Sequence, residues 1–261
     1  MEFSKILLKG LNGLLSFFMA VVLCAAGAYS VYALWDNNQV YARAENVMAQ
    51  MQELKPEIEE SEDGQVVSFS DLLEINSDVC AWVTLDNTKI NYPVLQGDTN
   101  LTYINTDIYG EFSLAGSIYL DSRNSSDFTD TYSLLYGHRM DGGRMFGDLD
   151  KYKEPGFLSE NKTGTLMTPN AVYDLEVYAC IVVGSSDNML YNPKLGPDGI
   201  GALLSYVEQK ALFFDSESAS KIRAQGANAK ILAFSTCSSE FTDARTILLA
   251  AMTESTAETV Q

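Results

Sequence analysis

The sequence predicts a mostly β domain, a closed barrel or sandwich of short, mostly antiparallel strands, behind one N-terminal apolar helix. Three observations predict it. Seven or eight short runs rich in Val, Ile, Leu, Tyr and Thr are separated by small turns. One helical stretch, Pro197 to Gly226, interrupts them. A run without a charged residue, Gly10 to Trp35, precedes them all.

The bulk composition agrees. The chain has 261 residues, one ordinary domain plus an appendage, and 46% of them are apolar. The net charge of −18 argues against nucleic acid, whose phosphates need clustered Lys and Arg. It suits a self-repelling, soluble surface, with an acidic groove for a basic partner as the alternative.

A bilayer core takes roughly 20 apolar residues in a helix, so residues 10–35 are long enough to span it. Lys5 and Lys9 precede the run and Asp36 follows. By the positive-inside bias, residues 1–9 form a cytoplasmic tail and the rest lies outside, giving a single-pass membrane protein. A cleaved signal peptide is the alternative, given the small residues of "CAAGAYS". The run is, however, longer than the usual apolar segment of about 7–15 residues.

Residues 36–65 read as a stalk and linker. Val40, Val47, Met51 and Leu54 recur at near-helical spacing, and Pro56 with the acidic run Glu57–Asp63 ends the helix. The globular domain is expected over residues 66–261. "SFSDLLEIN" predicts a short helix capped by Ser70 or its neighbour. "CAWVTL" and "KINYPVL" flank Asp86-Asn87 as a hairpin, with Pro93 marking an edge or strand end. Further strands are "GSIYLD", "YSLLYG", "GTLMT", "VYDLEVYACIVVG", "KILAFST" and "RTILLAAM". Within the helical stretch, Leu203, Val207 and Lys210/Ala211 share a face, and Ser216 or Ser218 caps the second piece.

Of the four cysteines, Cys24 lies in the apolar span, and the other three cannot all pair with one another. Cys80 and Cys180 sit inside apolar strand-like runs and read as small core residues. Cys237 ends the strand "KILAFST", where a polar loop begins, and Arg245 opens the next strand. If the two strands form a hairpin, both residues stand at one end. The only histidine, His138, also directly follows a strand, in "LLYGHRMDGGRMFGDL". Acyl transfer by a thiol needs these three types. The thiolate is the nucleophile, an imidazole moves the proton, and a guanidinium stabilises an oxyanion. One histidine and scattered cysteines offer no metal-ligand spacing, and no cofactor motif is present.

"LLYGHRMDGGRMFGDL" and "LAFSTCSSEFTDARTILLAA", with the N-terminal anchor, resemble the sortases, cysteine transpeptidases of Gram-positive bacterial surfaces. The resemblance covers roughly Ser70 to Met252. "INYPVLQGDTNLTYIN", "MFGDL" and the helical stretch before the Cys strand are most similar to class B. The family's T-x-T-C has Phe234 or Ser235 in place of its first Thr. The resemblance implies an eight-stranded sortase-like β-barrel with an N-terminal helix and a helical insertion. It implies that Cys237 attacks a Thr–Gly bond in the C-terminal sorting motif of a secreted protein. His138 then protonates the leaving amine, and Arg245 holds the substrate backbone or the oxyanion. An amine of the peptidoglycan precursor resolves the thioacyl enzyme; a pilin lysine or water are the alternatives. Asn100, Ile104, Leu190 and Ser235 match the class B substrate groove. Ser238 stands where some class B members carry an acid.

Overall fold

The computed structural model describes residues 2–61, 64–154 and 156–255, and divides into two compact units, Met1–Glu45 and Asn46–Gln261. From Glu2 on, the first unit is helical. It is the greater part of α1 (Glu2–Glu53), which has 52 residues and is therefore about 78 Å long, well beyond a bilayer core. Over residues 10–35 its apolar side chains are exposed, with Phe17 at 70% and Leu34 at 71%. Helices buried by their own protein do not look like this, so α1 has the length and composition to cross a membrane.

The second unit contains the last turns of α1. Met51 is 2% exposed and packs with Val67, Phe69, Leu72 and Trp82, with Val47 and Leu54 at the margin. The segment expected as linker holds an antiparallel pair, β1 (Ile58–Ser61) and β2 (Gly64–Val67). Glu62 and Asp63 of the acidic run lie outside the described residues, as do residues 256–261 of the expected domain. A short helix α2 (Ser70–Ile75) follows. Phe69 occupies its cap position and makes no side-chain cap bond.

The barrel strands are β3 (Val79–Leu85), β4 (Asn91–Leu95), β5 (Ile118–Leu120), β6 (Tyr132–Tyr136), β7 (Thr163–Met167) and β8 (Val172–Gly184). A one-turn helix α3 (Phe157–Glu160) precedes β7. After β8 come α4 (Ile200–Lys210), a two-residue β9 (Phe213–Phe214) and α5 (Ser216–Gln225). Then β10 (Lys230–Cys237) and β11 (Ala244–Glu254) complete the barrel. Strand order is β11-β10-β6-β5-β4-β3-β7-β8, and a β11–β8 pairing closes the ring; β9 adds to β8 outside it. This is the expected eight-stranded barrel. Most neighbours are antiparallel, but β4–β5 and β6–β10 are parallel. A parallel pair needs a long crossover, and the long segments between these strands supply it.

Two further local expectations change. β4 is internal rather than an edge: Pro93 pairs with Trp82 of β3, and β5 joins β4 only from Val94 onward. The missing N–H of Pro93 therefore leaves no ladder bond unmade on the β5 side. The cap of α5 is Asp215, not Ser216 or Ser218. Its carboxylate accepts from the N–H groups of Glu217 and Ser218 and pairs with Lys162. A carboxylate at that position satisfies two otherwise orphaned donors.

The interior explains why β10 shows no alternation. Leu232 and Phe234 face one way, Ile231 and Ala233 the other, and all four are fully buried. On the helical side Ile231 and Ala233 pack with Leu203, Leu204, Val207 and Ile222 of α4 and α5. Cys80 and Cys180 are buried and unpaired. Burial pushes both thiols up to about 12.

Candidate active site

The site forms where β6, β10 and β11 end together. In the β10–β11 ladder Cys237 stands directly opposite Arg245. Beside it, β6 runs parallel to β10 with Tyr136 level with Ser235, so Gly137 and His138 leave the barrel next to Thr236 and Cys237. Two bonds fasten that junction. The Gly137 N–H donates to the Ser235 carbonyl at 3.2 Å, and the Thr236 hydroxyl donates to the Gly137 carbonyl at 2.7 Å. Any side chain at position 137 would have to displace its neighbours. A Cβ there would stand 2.5 Å from Ile118 and 2.8 Å from the Phe146 ring.

Cys237 is exposed, unlike the two core thiols. It opens into a groove of about 320 Å³ that His138 and Arg245 also line. Asn100, Ile104 and Ser235 line it too. Leu190 does not. It is fully buried among the α4 and β8 residues, and its carbonyl accepts from the Tyr132 hydroxyl at 2.8 Å. Its neighbour Tyr191 reaches the groove instead, with its hydroxyl 2.9 Å from that of Ser235.

Tyr191 belongs to a wall that no sequence motif announced. The rings of Tyr119, Tyr136 and Tyr191 stack in series, with centroids 5.2 and 6.3 Å apart. Burial pushes the Tyr119 hydroxyl up to about 12 and raises Tyr136 and Tyr191 as well, so all three present neutral hydroxyls. Behind them lies Asp121, whose side chain is fully buried. It accepts from the Tyr136 hydroxyl at 2.8 Å, from Asn100 Nδ2 at 3.0 Å and from two nitrogens of Arg123 at 2.8 Å. Burial alone would raise this carboxyl, but Arg123, Tyr136 and Asn100 outweigh it and hold it below its ordinary range. "YGH" offered Tyr136 as part of a motif. Tyr119, Tyr191 and Asp121 carried no such signal, because only strand packing brings them together.

On the other flank an ion network braces the loop after Cys237. Lys153 pairs with Asp150 at 2.7 Å and donates to Glu240 and Ser238, each at 2.7 Å. Thr246 donates to the Ser238 hydroxyl at 3.0 Å, and Arg139, next to His138, donates to Asp150 at 2.6 Å. Ser238, at the position where an acid was a possibility, is therefore an acceptor for Lys153.

An exposed thiol, an arginine opposite it and an imidazole on the same rim supply the nucleophile, the oxyanion partner and the proton carrier of acyl transfer. Fold and site together define a cysteine acyl-transfer enzyme built on a closed β-barrel.

No family model matches the chain. Sortase B of Listeria monocytogenes is 31% identical over 172 residues, covering 65% of this chain and 67% of the relative. Among solved structures, a class B sortase of Streptococcus pyogenes involved in pilus biogenesis is 35% identical. It covers 71% of this chain and 98% of that one, with a TM-score of 0.63. A Staphylococcus aureus sortase B–substrate complex is 27% identical, covering 71% and 84%, also at 0.63. The chain belongs to the sortase family and is class B-like. It is accordingly a cysteine transpeptidase.

Proposed function

We propose that this chain is a membrane-anchored sortase that joins secreted proteins to a surface amine. Cys237 passes its thiol proton to His138, and its Sγ attacks the carbonyl carbon of the Thr in a Thr–Gly bond of a C-terminal sorting motif. The C–N bond breaks, the leaving glycine amine takes a proton from His138, and a thioester remains. Arg245 stabilises the oxyanion or clamps the substrate backbone. An incoming amine attacks the thioester, an amide forms, and the Cys237 thiol is released. The acceptor is an amine of the cell-wall precursor. A pilin lysine is the second reading, favoured by the likeness to the Streptococcus pyogenes enzyme involved in pilus biogenesis.

The carrying observation is the common groove: Cys237, Arg245 and His138 all line it, with Asn100, Ile104 and Ser235 along its walls. Tyr191 takes the place in substrate binding first considered for Leu190. Residues 10–35 anchor the enzyme, 1–9 stay in the cytoplasm, 36–65 form the stalk and 66–261 the catalytic domain outside. This division is supported by the apolar exposure along α1 and by Lys5 and Lys9 before it.

The test incubates the full chain in detergent with a library of sorting-motif peptides and an amine, reading products by mass spectrometry. Peptide–amine products are expected, and Cys237→Ala abolishes them without lowering the melting temperature. Cleavage that persists in Cys237→Ala removes the nucleophile assignment. Hydrolysis products alone, whatever amine is offered, make the enzyme a peptidase.

A further inference from the structure

Among the described residues the His138 ring makes one hydrogen bond, and its partner is a main-chain atom: Nε2 lies 2.7 Å from the carbonyl oxygen of Ile104. A carbonyl oxygen can only accept, so Nε2 carries the proton. In the neutral ring this leaves the lone pair on Nδ1, which becomes the nitrogen able to exchange a proton in the groove. The Ile104 carbonyl thus occupies the orienting place that a carboxylate fills in a Ser-His-Asp triad. Among the described residues no carboxylate bonds to the His138 ring.

The carbonyl is held in position from several sides. The adjacent Tyr103 carbonyl accepts from the Ser117 N–H at 3.1 Å, and the Ser113 N–H donates to Asn105 at 3.0 Å. The Ser117 hydroxyl donates to Thr106 at 2.8 Å. The Tyr103 hydroxyl donates to Asp78 at 2.7 Å, tying the loop to the start of β3. Directly beneath is Gly116, at φ +58. A Cβ there would overlap the Ile104 oxygen and stand 2.8 Å from the Tyr103 oxygen and 2.9 Å from the Ile104 carbonyl carbon. Only glycine leaves the carbonyl where His138 meets it.

We infer that the Ile104 carbonyl, seated on Gly116, positions His138 as a fixed Nε2–H tautomer and directs its proton exchange through Nδ1. Gly116 is then a positioning residue, acting through Ile104 on His138. The inference rests on the reading of His138 as the proton carrier, but its structural half is measurable without activity.

His138 is the only histidine in the chain. Biosynthetic 15N-histidine labelling of the untagged full chain in detergent therefore reports this ring alone. The expected spectrum of the neutral ring shows one fixed tautomer, with a slowly exchanging proton on Nε2. A proton on Nδ1, or an Nε2 proton lost to fast exchange, overturns the inference. This measurement needs no variant to fold.

The paired variants are Gly116→Ala and Gly110→Ala. Gly110 lies in the same loop at φ +81, with nothing within 4 Å of where a Cβ would be, so it carries the backbone strain without the collision. Gly116→Ala is expected to lose the slow Nε2 proton. Its kcat falls by about 10- to 100-fold, the scale of an ångström-sized misplacement, with KM little changed. Gly110→Ala keeps both. A folded Gly116→Ala with wild-type kcat and an unaltered ring spectrum refutes the positioning role. Full activity in His138→Gln would instead sink the reading of His138 as proton carrier, leaving the tautomer result standing.

Discussion

Replacing Lys153 with Met keeps most of the length of a side chain that braces the Cys237 loop and removes its charge. The side chain is 17% exposed and contacts Asp150, Glu240 and Ser238. Burial alone would lower the Lys153 ammonium, but Asp150 and Glu240 outweigh it and raise it. Reciprocally, Lys153 and then Ser238 bring the Glu240 carboxyl from 4.5 down to about 2. A carboxyl lowered on folding stabilises the native state above its unfolded value. The contribution is complete above about pH 5 and is lost as the pH falls from 4.5 through about 2. Undiscounted, a shift of that size is worth roughly 3 kcal/mol. The Glu240 side chain is 41% exposed, and solvent screening brings this to about 1 kcal/mol. For a domain of this size that is about 2–4 °C in melting temperature. Calorimetric melts of wild type and Lys153→Met at about pH 7 and about pH 3 measure it. The gap is expected near neutrality and shrinks by more than half in acid. A gap that is equal or wider at the lower pH refutes the linkage and leaves Lys153 a packing residue.

Arg245→Lys keeps the charge opposite Cys237 but loses the planar fork of donors, so turnover should fall by about 10²–10³ with stability unchanged. Near-normal turnover in Arg245→Ala would remove Arg245 from the chemistry. A chain beginning at Val66 lacks Met51, which is 2% exposed against Phe69 and Leu72. It should be less stable than a chain beginning at Asn46 by about 1.5–3 kcal/mol, the worth of one such buried side chain. Equal melting temperatures would show that the end of α1 adds nothing to the domain.

Much of the molecule was legible along the chain. The uncharged run of α1, the β3–β4 and β10–β11 hairpins, and the helical stretch of α4 and α5 each follow from patterns a few residues long. The ladder partnership of Cys237 and Arg245 belongs to this class, since a short loop between two strands dictates which residues face each other. The closure of β11 on β8 and the parallel pairing of β6 with β10, which sets His138 beside Cys237, were decided only by the folded chain. Those pairings join segments far apart in sequence, and the hydrophobic pattern of a strand buried on both faces does not name its neighbour. The exchange of Leu190 for Tyr191 at the groove is of the same kind. One residue decides which side chain faces the core, and α4 packing against β8 makes that choice. The partner of His138 lay furthest from view. Every residue carries the same main-chain carbonyl, so nothing in the identity of Ile104 marks its oxygen as an acceptor. Only the tertiary contact with Gly116 and His138 does.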